Sequence, residues 1–271
     1  MLTSLEVILP LRNPPAEFLQ TVASLLAQDD RDFQVLLSDN YSRTGREHLD
    51  TAVSQLRGAG IPVRVVRPPL ELGRVEHWNW AHLEATAAWV KPIFAGDWLA
   101  PGYVRQLRAG TAAHADCRYA FTNFVLHRVG KPPETSASPW AGGYHPATVM
   151  RDRVLTHGMQ FGPPSAAAFA REAFVLLGGY PTTLPICADS VLFCKLAARF
   201  GVLGLAEPLC HFNIHEARFS TSLPGKRRET LDENLTYYGQ LGYHAWTENR
   251  PWPKLGFLRL LVREWRNFRR G

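Results

Sequence analysis

The chain opens with a short apolar run, Leu5 to Leu11, that passes into Arg12 and Asn13. A second run, Phe33 to Leu37, stops on Ser38, Asp39 and Asn40. Between them, Phe18 to Gln28 carries its apolar residues at helical spacing. Short, mostly apolar runs bounded by turn residues predict buried strands, and the segment between them predicts an amphipathic helix. The pattern then repeats. Arg46 to Leu56 predicts a helix closed by Gly58 and Gly60, Ile61 to Val66 a third strand, Val75 to Trp89 a helix, and Val90 to Ala95 a fourth strand reaching Gly96 and Asp97. The order βαβαβαβ predicts a mostly parallel sheet wrapped by helices.

Beyond Pro101 the pattern is less regular. Gly102 to Ala113 predicts a helix and Tyr119 to Val125 a strand. Lys131 to Gly143 holds three prolines, two serines and two glycines and predicts a loop suited to a lid. Helices are predicted over Val149 to His157, Arg171 to Leu177 and Asp189 to Phe200, and two separate strands through Leu205 and over Cys210 to Ile214. The preferred division is one domain over residues 1–224 and a C-terminal helical extension over 225–271.

In an open parallel sheet, ligands bind beyond the carboxyl ends of the strands. Those positions hold Pro10, Arg12, Asn13, Asp39 and Asp97. A carboxylate at a strand end accepts from a base N–H or a ribose hydroxyl, whereas a phosphate cradle calls for a glycine-rich loop, and none follows the first strand. The competing reading for Asp39 and Asp97 is a turn or cap residue.

Composition narrows the class. An apolar fraction of 46% with 20% charged residues is ordinary for a globular enzyme. The four cysteines form no CxxC pair and sit among apolar neighbours, which predicts reduced, buried thiols and a cytoplasmic setting. The start of the chain is expected to be a strand rather than a signal peptide, and no run approaches a membrane span. From Arg250 onward seven Lys or Arg face one Glu, which accounts for the whole net charge of +6. A neutral body with a basic tail argues against nucleic-acid binding. That tail interleaves arginines with Leu255, Leu258, Leu261, Val262, Trp265 and Phe268, a pattern expected of an amphipathic helix at an anionic membrane surface or of a helix docked on its own domain.

Taken together, Val7 to Pro10 with Asn13, Ser24 to Gln28, Phe33 to Ser42, Gly96 to Pro101, Gly178-Gly179-Tyr180, Ala188-Asp189 and Glu207-Pro208-Leu209 resemble family 2 glycosyltransferases of the GT-A fold, over roughly residues 4 to 222. The resemblance implies a Rossmann-like α/β domain and an inverting transfer of a sugar from a nucleotide-sugar, UDP- or dTDP-linked, to a hydroxyl. The implied acceptor is a surface glycan or its lipid-linked precursor, in polysaccharide biosynthesis at the inner face of the plasma membrane. Pro10, Arg12 and Asp39 would then hold the nucleoside, with Arg12 standing where relatives carry an aromatic, and Arg74 would reach the donor phosphates. Asp97 would bind Mg²⁺ or Mn²⁺ with the pyrophosphate. Relatives present an Asp-x-Asp-Asp-like cluster there, whereas Phe94, Ala95 and Gly96 precede Asp97 in this chain. Asp189 would be the general base, an N-cap being its alternative. His215 would lie near the metal or leaving phosphates. His211 and His215 have a spacing that would suit zinc on a helix, but Pro208 and the intervening apolar residues predict a strand. Ser165 has no G-x-S-x-G surroundings and is read as part of an acceptor-side loop. The rival function is a catalytically silent module that keeps the fold and binds the nucleotide-sugar.

Overall fold

A computed structural model describes residues 2–157, 160–214, 226–247, 261–262 and 265–266. The first strand, β1 (Leu5–Leu11), is buried at all seven positions. It lies between two parallel neighbours, β2 (Gln34–Asp39) and β4 (Trp89–Pro92). A strand covered on both faces does not alternate, which is why the sequence reads as an apolar run interrupted only by Glu6. Helix α1 (Phe18–Leu26) turns Phe18, Val22 and Leu25 inward, the i, i+4, i+7 stripe visible in the sequence. Helix α2 (Arg46–Gly58) and strand β3 (Val63–Val66) complete the parallel half, ordered β3-β2-β1-β4.

Helix α3 (Arg74–Leu83) ends six residues before the Trp89 expected to close it, and Trp89 instead opens β4, paired with Leu5 and with Ala170. The reason is long-range. Arg171 Nη2 donates to the Leu83 carbonyl and Arg64 Nη2 to the Glu84 carbonyl, both at 2.8 Å, satisfying the end of the helix from outside. The buried Glu6 carboxylate accepts from the Thr86 N–H at 2.7 Å and from Arg64 at 2.9 Å, drawing the chain straight into the sheet.

The second half of the sheet is mixed. After β5 (Trp98–Leu99) and α4 (Tyr103–Ala113), β6 (Tyr119–Arg128) runs antiparallel to β9 (Ala167–Ala170), which is itself antiparallel to β4. The segment expected as a lid is tied down. Strand β7 (Glu134–Thr135) pairs with β6, Ser136 and Phe124 exchange two 2.8 Å hydrogen bonds, and Ser138 N–H donates to Asn123 Oδ1 at 2.9 Å. Strand β8 (Gly143–His145), helix α5 (Ala147–His157), a short 3₁₀ turn at Pro164–Ala166 and helix α6 (Arg171–Leu176) follow.

Helix α7 (Ala188–Phe200) leads into β10 (Val202–Ile214), a single strand where two were expected. It absorbs Pro208 through register shifts on either side of that residue. Thr122 Oγ1 patches the gap, donating to the Glu207 carbonyl at 2.6 Å and accepting from Leu209 N–H at 3.0 Å. The last element described in full is α8 (Lys226–Thr247), whose Asn234, Tyr237 and Tyr238 are buried. All four cysteines are buried free thiols, and burial pushes Cys117 up to about 11 and Cys194 to about 12, so both stay protonated and unreactive. Among the described residues no helix is long and apolar enough to cross a membrane.

Candidate active site

The carboxyl ends of β1 and β2 lie side by side, with Leu11 opposite Asp39. Their two outgoing loops are stitched together. Asn13, at φ +51°, accepts through Oδ1 from the N–H groups of Arg43 (2.7 Å) and Thr44 (3.2 Å). Its own N–H donates to Ser42 Oγ at 2.8 Å. Asparagine tolerates this left-handed backbone better than most residues. Gly45, at φ +72°, admits no side chain, because a Cβ there would sit 2.1 Å from the Pro14 carbonyl oxygen.

Pro10 lies within β1 rather than beyond it, buried and opposite Ser38. The paired register of β4 ends at Ile8, so no ladder donor is missed there. Arg12 is exposed and paired with Glu71, a residue of the loop after β3, and Arg43 approaches the same carboxylate at 3.8 Å. Asn40 clamps that loop from the other side, exchanging hydrogen bonds of 2.8 and 3.0 Å with the backbone of Leu72.

Asp39 is buried at the end of β2. Ser42 N–H donates to its Oδ1 at 2.9 Å and Arg67 Nη2 to its Oδ2 at 2.5 Å. Burial alone would raise the Asp39 pKa, but the Ser42 and Arg67 hydrogen bonds and the guanidinium charge outweigh it and hold the carboxyl below its usual range. Arg67 follows β3 as Asp39 ends β2, so the same strand-end logic finds it, although sequence reasoning passed over it. Beneath lies His77 of α3, hydrogen-bonded to Ser38 Oγ at 2.8 Å. Burial lowers the His77 pKa to about 4 against the pull of Asp39, so the imidazole is neutral at physiological pH.

Asp97 follows β4 through a turn in which its N–H donates to the Phe94 carbonyl at 2.9 Å, with Gly96 at φ +91°. Its side chain is buried. Ser165 Oγ donates to Oδ2 at 2.5 Å, and Asn213 N–H of β10 donates to Oδ1 at 3.1 Å. Lys91, buried in β4, donates to the carbonyls of Pro92 (2.8 Å) and Ser165 (2.5 Å) and so fixes the turn that aims Ser165. Next to Asp97, the Trp98 ring stacks on His211 with centroids 4.9 Å apart, and His211 Nδ1 meets His127 Nε2 at 3.0 Å. His211 thus stands on a strand, as expected; His215 lies outside the described residues.

Asp189 sits in the first turn of α7 and is half-buried. Burial raises its pKa, and the Ser190 N–H (2.8 Å) and the Arg74 charge hold the rise in check. It does not cap the helix conventionally: Cys187 is the N-cap and makes no side-chain capping bond. Arg74, the first residue of α3, reaches across to this segment. Its guanidinium donates to the Pro185 carbonyl, lies 4.7 Å from the Trp78 ring centre, and feels the charges of Asp189, Glu233 and Glu76. Ser165, Asn213, Arg67 and Glu233 are the neighbours that sequence reasoning did not supply to the three aspartates.

A hard divalent cation is suited by oxygen ligands, and Asp97 offers a carboxylate with the Ser165 hydroxyl beside it. Among the described residues no group of three His, Cys, Asp or Glu lies together. The donor set therefore fits Mg²⁺ or Mn²⁺ only when substrate phosphates and water complete the shell.

Residues 6–177 match the model of glycosyl transferase family 2, and the chain belongs to that family. Its fold is GT-A. In structure it is similar to S. aureus TarS 1-349 in complex with UDP-GlcNAc, at 15% identity and a TM-score of 0.67, covering 88% of this chain and 66% of that one. It is also similar to the mannosyltransferase PcManGT from Pyrobaculum calidifontis in complex with GDP-Man and Mn²⁺, at 17% identity and a TM-score of 0.61, covering 95% and 74%. The chain spans just under two thirds of the TarS fragment and 40% of the S. aureus TarS chain in a further solved structure. A search of curated proteins by sequence finds no match.

Proposed function

We propose that the protein transfers a sugar, with inversion, from a UDP- or dTDP-sugar to a hydroxyl of a surface glycan or lipid-linked acceptor at the cytoplasmic face of the membrane. The observation that carries this is Asp189: a half-buried acid in the first turn of α7, made more basic by burial and within the electrostatic reach of Arg74. An inverting displacement requires a base on the face opposite the leaving phosphate. The nucleotide-sugar complexes of TarS and PcManGT support a donor of this class.

In this reading Asp39, with Arg67 behind it, accepts from the nucleoside, and Pro10 shapes the floor of that pocket. Arg12 lays its guanidinium plane against the base, held at the rim by Glu71. Arg74 stands between the donor phosphates and Asp189. Asp97, with His215, would hold Mg²⁺ or Mn²⁺ through the diphosphate, and the ion would neutralise charge on the leaving group. Asp189 takes the proton from the acceptor hydroxyl as that oxygen attacks the anomeric carbon, and the nucleoside diphosphate departs with the bonding pair.

A second reading, a silent nucleotide-sugar-binding module, is favoured by the single acid at Asp97, whose oxygens are both hydrogen-bonded. Calorimetry with UDP, dTDP and GDP, with and without Mn²⁺, followed by turnover with the sugar donors of whichever nucleotide binds, separates the two. Binding with transfer supports the enzyme, binding without transfer supports the silent module, and no binding to any nucleotide contradicts both.

A further inference from the structure

The turn that delivers Asp189 is held from outside its own helix. Glu233, in α8, accepts through Oε2 from Ile186 N–H at 2.9 Å and Cys187 N–H at 2.8 Å, and its Oε1 is 3.2 Å from the same Ile186 nitrogen. One residue on, Asn234 Oδ1 accepts from Cys187 Sγ at 3.1 Å. A helix N-terminus carries unsatisfied N–H groups and partial positive charge, so an anion there is favourable. Within the first turn Asp189 takes the Ser190 N–H, but the Ile186 and Cys187 N–H groups ahead of it are taken by a carboxylate more than forty positions later in the chain. The same carboxylate shares Arg74 with Asp189 and Glu76.

We infer that Glu233 is a positioning residue for Asp189, fixing the Ile186–Cys187 turn through two amides and setting how much of the Arg74 charge Asp189 receives. The inference rests on Asp189 being the base. It makes α8 part of the catalytic unit rather than an appendage, although the family match ends at residue 177. The groups that act on Asp189 are Arg74 on α3, Tyr119 on β6, Tyr180 between α6 and α7, and Ser190 and Cys194 on α7, while Glu76 on α3 and Glu233 on α8 act by way of Arg74. Of the acids among them, Glu233 alone also holds the backbone that carries Asp189.

The test uses the full chain and three variants, Glu233→Ala, Glu233→Gln and Asp189→Asn. Amide exchange is followed at Ile186 and Cys187, and the Asp189 carboxyl is titrated by carbon-13 NMR, so neither readout needs a substrate. Glu233→Ala should accelerate exchange at both amides. Glu233→Gln, whose side-chain oxygen still accepts, should keep them slow while moving the Asp189 midpoint to lower pH, because a negative charge is lost near Arg74. Unchanged amide protection in the first, or an unmoved midpoint in the second, overturns the inference. With the donor chosen by the nucleotide panel, Glu233→Gln should lower kcat by about tenfold at constant donor KM, since a weaker base transfers less in the transition state. If Asp189→Asn turns over as fast as the parent, the base assignment fails on its own, whatever the two Glu233 variants show.

Discussion

Ser165 and Asp97, 68 residues apart, meet in a buried 2.5 Å hydrogen bond in which the hydroxyl donates to the carboxylate. The bond orients the carboxylate that follows β4, and Lys91 braces it by holding the Ser165 carbonyl. Ser165→Ala removes one hydrogen-bond donor from the buried Asp97 carboxylate, at a cost of about 1–3 kcal/mol in stability. Manganese-dependent binding of UDP, measured by titration, should weaken by roughly tenfold, with metal-free UDP binding little changed. Equal metal dependence in variant and parent would separate Asp97 from the cation.

The Asp39–Arg67 pair predicts a pH dependence of stability. Asp39 ionises below its ordinary range in the folded protein, so its contribution is present above the unfolded carboxylate pKa and is lost as pH falls through the lower folded value. Arg67→Met removes one stabilising partner, and the difference in Tm between variant and parent should therefore shrink as the pH is taken down through that window. A difference that stays constant down to the acid limit would show that Arg67 does not act through the Asp39 charge.

Much of the parallel half of the fold is legible in the sequence because its elements bury continuous faces: Val7 to Leu9, the Phe18–Val22–Leu25 stripe and Val35 to Leu37 leave few alternatives. Trp89 is not legible in this way. Its place in a strand is decided by Glu6, Arg64 and Arg171, which reach it from distant segments. Pro208 likewise reads as a break between two strands until Thr122 is seen to bridge the irregularity. Asp39, Asp97 and Asp189 stand at or beside element ends, where the sequence pattern places them. The groups that set their chemistry lie farther off: Arg67 is 28 residues from Asp39, Asn213 is 116 from Asp97, and Glu233 is 46 from the Cys187 amide. Hydrogen bonds across such separations leave no periodicity to read.

The basic tail yields a separate expectation. Most of it lies outside the described residues, but Val262 and Trp265 are exposed. If the tail meets a membrane, the full chain should bind anionic vesicles, binding should fall as salt screens the arginines, and a chain ending at residue 249 should not bind. Retained binding by the shortened chain would assign the contact elsewhere.

Asp189→Asn keeps the size of the side chain and removes its basicity. Transfer should fall by about 10²–10⁴-fold while nucleotide affinity holds, the magnitude expected for loss of a general base. Parallel losses of affinity and rate would point to a structural role instead.

The most direct test of the central claim is the configuration of the sugar released by the wild-type enzyme. With an α-linked nucleotide-sugar that the enzyme turns over, proton NMR at early times reads the anomer formed when water replaces the acceptor. Attack opposite the leaving diphosphate, assisted by Asp189, predicts the β-anomer first, with the α-anomer appearing only by later mutarotation. The α-anomer appearing first would contradict the account.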